Sequence, residues 1–306
     1  MVPGSRAKFG NFAQLAVQGD LERHRARPEP CVSLTHDDER TLVKAFEEMR
    51  DGHAPDRLLW DKSFAESFHR VARRKGVHAP GRILTRRLIN IRKNKARYLK
   101  YGIAILPSTV QESHPSISPR YAHAVEFALV RLRYLYGASI DDILIEPDLG
   151  QEFVDLASRM APGLGDIELR LGALCIRKSR FEARRERTLF EDLNLNEIEP
   201  ALSLLGNFAE ANVDSLPEDV GLIVVGEESR WLYVARNTCL REGAKELVRG
   251  PALDVMANHF WRPDRNRLVL RVLVGPQFEK VGVVKWQMKL IEERSPVFNW
   301  PVCGVA

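Results

Sequence analysis

The sequence of 306 residues lacks the features that mark membrane, secreted and zinc-ribbon proteins. No apolar run approaches the roughly 18 residues of a membrane-spanning helix, and the N-terminus lacks the charged and then apolar layout of a signal peptide. The four cysteines are Cys31, Cys175, Cys239 and Cys303, which are far apart and form no C-x-x-C pair. Neither a disulfide framework nor a zinc ribbon is indicated, and we expect a cytoplasmic protein without a membrane partner.

Two long segments each lack charges of one sign. Residues 67–111 contain no Asp or Glu, whereas residues 188–229 contain no Lys or Arg and ten carboxylates. The first segment carries twelve cations, with Tyr98 and Tyr101 interleaved among them. The net charge of +5 is modest. The separation of positive and negative residues into different segments is therefore more informative about function than the net charge.

The basic segment predicts a phosphate-binding surface, because cations that neutralise backbone phosphates supply most of the sequence-independent affinity for nucleic acids. The alternative is a solvated helix face or a partner for the acidic segment, although soluble surfaces normally intersperse both signs. The residues expected to contact nucleic acid are Arg73, Arg74, Lys75, Arg82, Arg86, Arg87, Arg92, Lys93, Lys95, Arg97, Lys100, Arg177, Lys178 and Arg180.

An ungapped internal repeat at an offset of 85 residues relates residues 41–93 to residues 126–178. The spacing of Phe64, Phe68 and Val71 by four and three predicts helices. We therefore expect a duplicated helical module within a basic region at 36–187. Both copies end in Ile-Arg-Lys, and the recurring residues used below are Gly52 with Gly137, Asp56 with Asp141, Arg92 with Arg177 and Lys93 with Lys178.

The segments around this module are assigned from composition and periodicity. Residues 1–35 predict a flexible lead-in, and the proline-containing stretch 94–120 predicts an irregular connector between the copies. Residues 188–215 predict an acidic helical linker, with a helix marked by the spacing of Ile198, Leu202, Leu205 and Ala209. The carboxylates Asp192, Glu197 and Glu199 are interpreted as a solvated face or as a partner for the basic module; a homo-oligomer or protein partner bound through 188–229 stays open.

The stretch 216–240 has the pattern of a β-hairpin followed by a helix. An apolar run rich in β-branched residues extends from Val220 to Val225, a polar turn follows, and Trp231 to Ala235 is apolar again. Leu240, Ala244 and Leu247 then recur at helical spacing, with Gly250-Pro251 as a stop signal. The order strand, turn, strand, helix is predicted.

At these positions the chain resembles the GIY-YIG nuclease family. The family's leucine-proline pair, first strand motif and second strand motif correspond to Leu216-Pro217, Gly221-Leu222-Ile223 and Tyr233-Val234-Ala235. Its last helix and closing turn correspond to residues 286–291 and to Pro296-Val297-Phe298-Asn299. The resemblance covers residues 216–306 and implies a small α/β domain with a three-stranded antiparallel sheet, within a protein that is α+β overall.

The resemblance also implies catalytic positions, several of which are eroded here. Tyr233 and Asn299 match the family's pattern, and Arg236 and Arg241 are the nearby cations. Ile223 replaces the first tyrosine, Gly243 replaces the helix arginine, and Gln287 replaces the metal-binding glutamate. Isoleucine cannot accept a proton, and a glutamine brings no negative charge to a hard divalent cation.

The sequence thus favours a nucleic-acid-binding protein, with DNA as the favoured ligand, that carries a catalytically degenerate GIY-YIG-like domain and needs no cofactor. One alternative is an active endonuclease that uses Mg²⁺ or Mn²⁺, with Arg236 or Arg241 as the arginine, His259 as base and Glu279 or Glu292 as metal ligand. A protein-interaction scaffold is a second alternative.

Overall fold

The computed structural model describes residues 33–110, 122–185, 193, 202–207, 211–227, 230–252, 268–274 and 280–299. Within these ranges the chain is a mixed α/β protein, in which nine helices precede a four-stranded antiparallel sheet and two further helices. No helix in the described ranges is long and apolar enough to cross a membrane. The predicted lead-in falls outside the described residues except for 33–35.

The first helices surround a core of their own. They are α1 (His36–Met49), α2 (Arg57–Trp60), α3 (Lys62–Arg74), α4 (Gly81–Lys93) and the short α5 (Lys95–Leu99). Thr35 and Asp38 form a capping box that starts α1, and Phe46 and Phe68 pack edge to face at 5.9 Å within the core. The connector predicted as irregular thus begins with a helical turn, α5, before residues 103–110, which form no regular secondary structure.

The next four helices begin at nearly the same spacing as the first four. They are α6 (Ala122–Tyr136), α7 (Ile140–Ile145), α8 (Pro147–Met160) and α9 (Asp166–Arg185), and they begin 83 to 86 residues after α1 to α4 respectively. Soon after α1 and directly after α6 the chain turns at a glycine with positive φ, Gly52 at +77° and Gly137 at +65°. Glycine adopts this left-handed conformation without steric cost, so the same residue type fits both turns.

The sheet has four strands, whereas the sequence predicted three. The strands are β1 (Ser203–Asn207), β2 (Gly221–Gly226), β3 (Trp231–Asn237) and β4 (Val269–Val274), in the order β1-β4-β2-β3, all antiparallel. The hairpin prediction is confirmed, because β2 and β3 pair directly with Ile223 opposite Ala235 and Val225 opposite Tyr233.

The predicted helix through Leu202 and Leu205 was wrong, because the chain there forms β1. Apolar residues three and four apart suit a helix, but a short apolar run cannot by itself distinguish a helix from a strand. Gly206 lies at φ +121° beside an irregularity in the β1 register, a conformation that a helix does not use. Pairing with β4 therefore outweighs the helical spacing.

Two helices cover the sheet. After β3 comes α10 (Leu240–Arg249), which begins after Cys239 and ends just before the predicted stop signal at Gly250, and α11 (Lys280–Arg294) follows β4. Ile223, Val225 and Tyr233 face a core shared with α6 to α9 and α10. Leu222 and Val224 face the opposite side, which α11 covers. The second set of helices and the sheet therefore share one continuous core.

Candidate functional site

A cavity of about 120 Å³ lies between the helical region and the open edge of the sheet. Its walls come from α6, α9, β3 and α11, and its polar lining includes Glu126, Arg180, Tyr233, Arg236 and Gln287. Tyr233, Arg236 and Gln287 were singled out from the sequence as family positions, and Arg180 was expected to contact nucleic acid. The fold therefore brings the predicted C-terminal positions together, but with α6 and α9 packed over them.

Glu126 of α6 is the centre of the polar contacts in this cavity. Its Oε1 accepts a hydrogen bond from an Arg180 guanidinium nitrogen at 2.6 Å, and its Oε2 accepts one from Asn299 Nδ2 at 3.3 Å. Tyr233 is also hydrogen-bonded to Glu126. Glu126 and Arg180 are both only 3% exposed, so this is a buried ion pair whose partners satisfy each other.

Tyr233 is held in a form that does not suit proton abstraction. The side chain is buried against Phe127, with ring centroids 4.7 Å apart. Burial first, and then the negative charge of Glu126, raise the pKa of Tyr233 well above its ordinary value, although Arg180 acts in the opposite direction. The neutral phenol is therefore the stable species, and it faces a carboxylate in place of a substrate water.

Gln287 and Asn299 both form hydrogen bonds with the backbone of β3 at Val234. Asn299 Oδ1 accepts the Val234 N–H at 2.8 Å, and its Nδ2 donates to the Val234 carbonyl at 3.0 Å. Gln287 Nε2 donates to the same carbonyl at 3.1 Å. Since β3 is an edge strand, these amides satisfy backbone groups that would otherwise lack a strand partner.

The other positions implied by the family resemblance are also structural. Ile223 lies fully buried in the core. A Cβ at Gly243 would lie 2.0 Å from Asn237 Oδ1, so an arginine does not fit there without displacing Asn237. Arg241 donates hydrogen bonds to the Leu216 carbonyl at 2.7 Å and to Glu218 at 2.7 Å, and these contacts fix the loop before β2. Arg241 is not among the residues that line the cavity.

Arg236 differs from these residues because it lines the cavity and is exposed. Partial removal of its guanidinium from water, and then repulsion from Arg180, lower its pKa from the ordinary value. Its position is therefore one of uncompensated positive charge beside a second arginine.

The residues present do not fit a divalent metal. Gln287 offers no charge, its amide nitrogen is engaged by Val234, and Glu126 is neutralised by Arg180. Among the described residues no group of three or more His, Cys, Asp or Glu side chains could hold a metal ion. Of the alternative catalytic residues, His259 and Glu279 lie outside the described residues, and Glu292 is part of α11.

The predicted phosphate-binding residues divide into two groups. Half of the twelve cations in the basic segment form ion pairs with carboxylates: Lys75 with Glu48, Arg82 and Arg86 with Glu146, Arg87 with Glu39, Arg92 with Asp56, and Lys93 with Asp141. The other six are exposed and have no ion pair with a described carboxylate: Arg70, Arg73, Arg74, Lys95, Arg97 and Lys100. Only the second group therefore forms an exposed basic surface without described ion pairs.

Basic residues of α9 also lie in intramolecular contacts. Arg177 bridges Asp56 at 3.0 Å and Asp141 at 2.5 Å, and Lys93 also reaches Asp141. Burial alone would raise the pKa of both aspartates. Arg177 and Arg92 hold the pKa of Asp56 below its usual value, and Arg177 and Lys93 do the same for the pKa of Asp141. The repeated charged residues therefore join the two sets of helices, while Lys178 stays exposed.

Glu126 and Arg180 form the contact that sequence reasoning missed. Arg180 was expected at a phosphate and Glu126 was given no role, although a lone carboxylate within the apolar run from Ala122 to Leu132 is a signal of a buried partner. Two described carboxylates of the acidic segment pair with α10: Asp214 with Lys245 and Arg249, and Glu218 with Arg241. They do not pair with the basic module; Asp192, Glu197 and Glu199 lie outside the described residues.

Comparisons of the chain with protein-family models, with curated proteins and with solved structures found no match.

Proposed function

We propose that the protein binds nucleic acid, with DNA as the favoured ligand, through the unpaired cations of residues 70–100 and does not cleave it. The observation that carries this proposal is the group of six exposed cations at the end of α3 and around α5, in a segment without any carboxylate. Exposed cations without intramolecular partners are available to phosphates, whereas paired ones would first have to give up a carboxylate.

The proposal treats residues 216–306 as a GIY-YIG-like domain that has lost its chemistry. The order β2, β3, α10, β4 and α11 agrees with the arrangement that the resemblance implies. Tyr233, Gln287 and Asn299 are close together but bind Glu126 and the Val234 backbone. Phosphodiester hydrolysis needs a metal charge, a base and a cation on the developing negative charge. Here Gln287 at the metal position donates to the Val234 carbonyl, and Tyr233 at the base position is bound to Glu126.

The proposal also treats the helical region as a duplication. Matching helix spacing, glycine turns at Gly52 and Gly137, and the shared cluster around Asp56 and Asp141 support it. In this interpretation the end of α4 and the interior of α9 are used to join the two copies. The phosphate surface then belongs to the end of α3 in the first copy and to the start of the connector around α5, where the unpaired cations lie.

The test compares two variants that each remove three positive charges. In the first, Lys95, Arg97 and Lys100 are replaced by glutamine; in the second, the ion-paired Lys75, Arg86 and Lys93 are replaced in the same way. We expect the first variant to bind a DNA duplex more weakly. Its plot of log affinity against log salt should flatten by about 0.9 for each phosphate that the protein no longer neutralises. Fluorescence anisotropy over a salt series measures both quantities.

The second variant is the control and should fold, because its three cations are themselves 34–51% exposed, positions at which an ion pair contributes about 0–1 kcal/mol, and Asp141 keeps Arg177 as a partner. It is expected to bind close to wild type. Equal weakening in both variants, or wild-type binding that does not depend on salt, would overturn the proposal.

A further inference from the structure

Tyr101 and its neighbours form a small surface in which an exposed aromatic ring lies among cations. The Tyr101 platform consists of His36, Arg40, Lys95, Arg97, Lys100 and Tyr101. The ring of Tyr101 stacks on the His36 imidazole with centroids 4.0 Å apart and planes 23° from parallel. Tyr101 nevertheless remains 41% exposed, so the stack leaves much of the ring open to solvent.

The platform is fixed from below. Arg40 donates two hydrogen bonds to the Tyr101 carbonyl, at 3.1 and 3.3 Å, and thereby ties α1 to the turn after α5. Tyr98, one helical turn earlier, is buried and donates to Glu39 at 3.3 Å. The two tyrosines of the basic segment thus have different roles, since Tyr98 anchors the turn and Tyr101 faces outward. A preformed ring costs little conformational entropy when a ligand binds.

The charge around the ring is positive. Lys95, Arg97 and Lys100 are exposed and have no ion pair with a described carboxylate. On the first turn of α1, Asp37 pairs with Arg40 at 2.5 Å, Asp38 accepts hydrogen bonds from Thr35, and the buried Glu39 contacts His36 at 2.7 Å and Arg87 at 3.2 Å. The chain thus places three exposed cations without a described ion pair within six residues of Tyr101.

We propose that the Tyr101 platform binds single-stranded nucleic acid, with one base stacked on Tyr101 and the adjoining phosphates on Lys95, Arg97 and Lys100. An aromatic face can stack only on a base whose own face is free, and bases inside a duplex are stacked on each other. Cations alone do not distinguish the two forms, because both present phosphates. The aromatic ring among the cations is what selects the unpaired strand.

This inference rests on the proposed function and names the form of ligand that this part of the surface prefers. The test uses an oligo-dT strand and a duplex of equal length, each titrated at one salt concentration against wild type, Tyr101→Ala and Tyr101→Phe. We expect Tyr101→Ala to weaken binding of the single strand about tenfold, as the removal of one stacked base does. Its duplex affinity should be unchanged, and Tyr101→Phe should behave as wild type.

Tyr134→Ala serves as the matched control, because Tyr134 on α6 is a similarly exposed tyrosine at 43%. It should leave both affinities unchanged, and thermal melts of all variants establish that they are folded. The inference is overturned if Tyr101→Ala weakens both ligands equally or neither of them. If wild type binds neither ligand, the proposed function fails as well, so the two failures are distinguishable.

Discussion

Replacement of Glu126 by alanine is expected to lower the free energy of unfolding by about 3–5 kcal/mol, the usual result of removing one partner of a buried ion pair. The change leaves Arg180 charged in a position that is only 3% exposed, and it removes the acceptor for Asn299 and Tyr233. The polar groups that line the cavity would then lack the carboxylate that joins them. The midpoint of urea unfolding, measured by circular dichroism, tests this expectation.

Glu182→Ala provides the control, since Glu182 is an exposed carboxylate on α9 and such surface changes usually stay within about 0.5 kcal/mol. The double variant Glu126→Leu with Arg180→Met removes both charges together. It should recover much of the lost stability, because replacing a whole buried pair with apolar residues is often neutral. A Glu126→Ala variant as stable as Glu182→Ala would refute the role of this ion pair.

Replacement of Arg177 by methionine is expected to cost about 3 kcal/mol near neutral pH, because it leaves Asp56 and Asp141 without their shared partner. The size of the effect should depend on pH. In the wild type the pKa of both aspartates is held below its usual value, so their contribution is present above the unfolded-state pKa of about 3.9 and is lost as the pH falls through the folded-state pKa.

In the variant, burial without Arg177 favours the neutral carboxyl, which opposes ionisation as the pH rises. The difference in stability between wild type and Arg177→Met should therefore be largest at neutral pH and shrink as the pH falls below the unfolded-state value. Urea unfolding across this pH range measures it. Lys178→Met, at the exposed neighbouring position, should show little change at any pH, and a difference that grew in acid would contradict the account.

The hairpin and its following helix could be predicted from the sequence because their signals are local. A β-branched run from Val220 to Val225 ends in a polar turn, and Leu240, Ala244 and Leu247 follow at helical spacing, so no distant contact is needed to place β2, β3 and α10. The strand β1 was missed for the opposite reason. Its Leu204 and Leu205 acquire strand geometry by pairing with β4, more than sixty residues later.

The fate of the basic segment could not be read from its own residues. Half of its cations are neutralised by carboxylates, and three of those carboxylates, Asp141, Asp142 and Glu146, lie in the second set of helices. The basic segment itself contains no Asp or Glu, whereas in the folded chain carboxylates about fifty residues away in sequence lie against its cations. The Glu126–Arg180 pair was missed for the same reason, because its two residues are 54 positions apart in sequence. This pair lines the same cavity as Tyr233 and Gln287, which the family motif had suggested as site positions.

The central claim, binding without cleavage, is tested most directly by incubating the protein in excess with supercoiled and single-stranded DNA in Mg²⁺ and in Mn²⁺. Gel electrophoresis then separates retarded DNA from nicked DNA. The account predicts retardation that weakens as salt rises, with the DNA recovered intact from wild type. Nicking by wild type that disappears in Tyr233→Phe would contradict it, because that result would require a tyrosine buried against Glu126 to take part in the reaction.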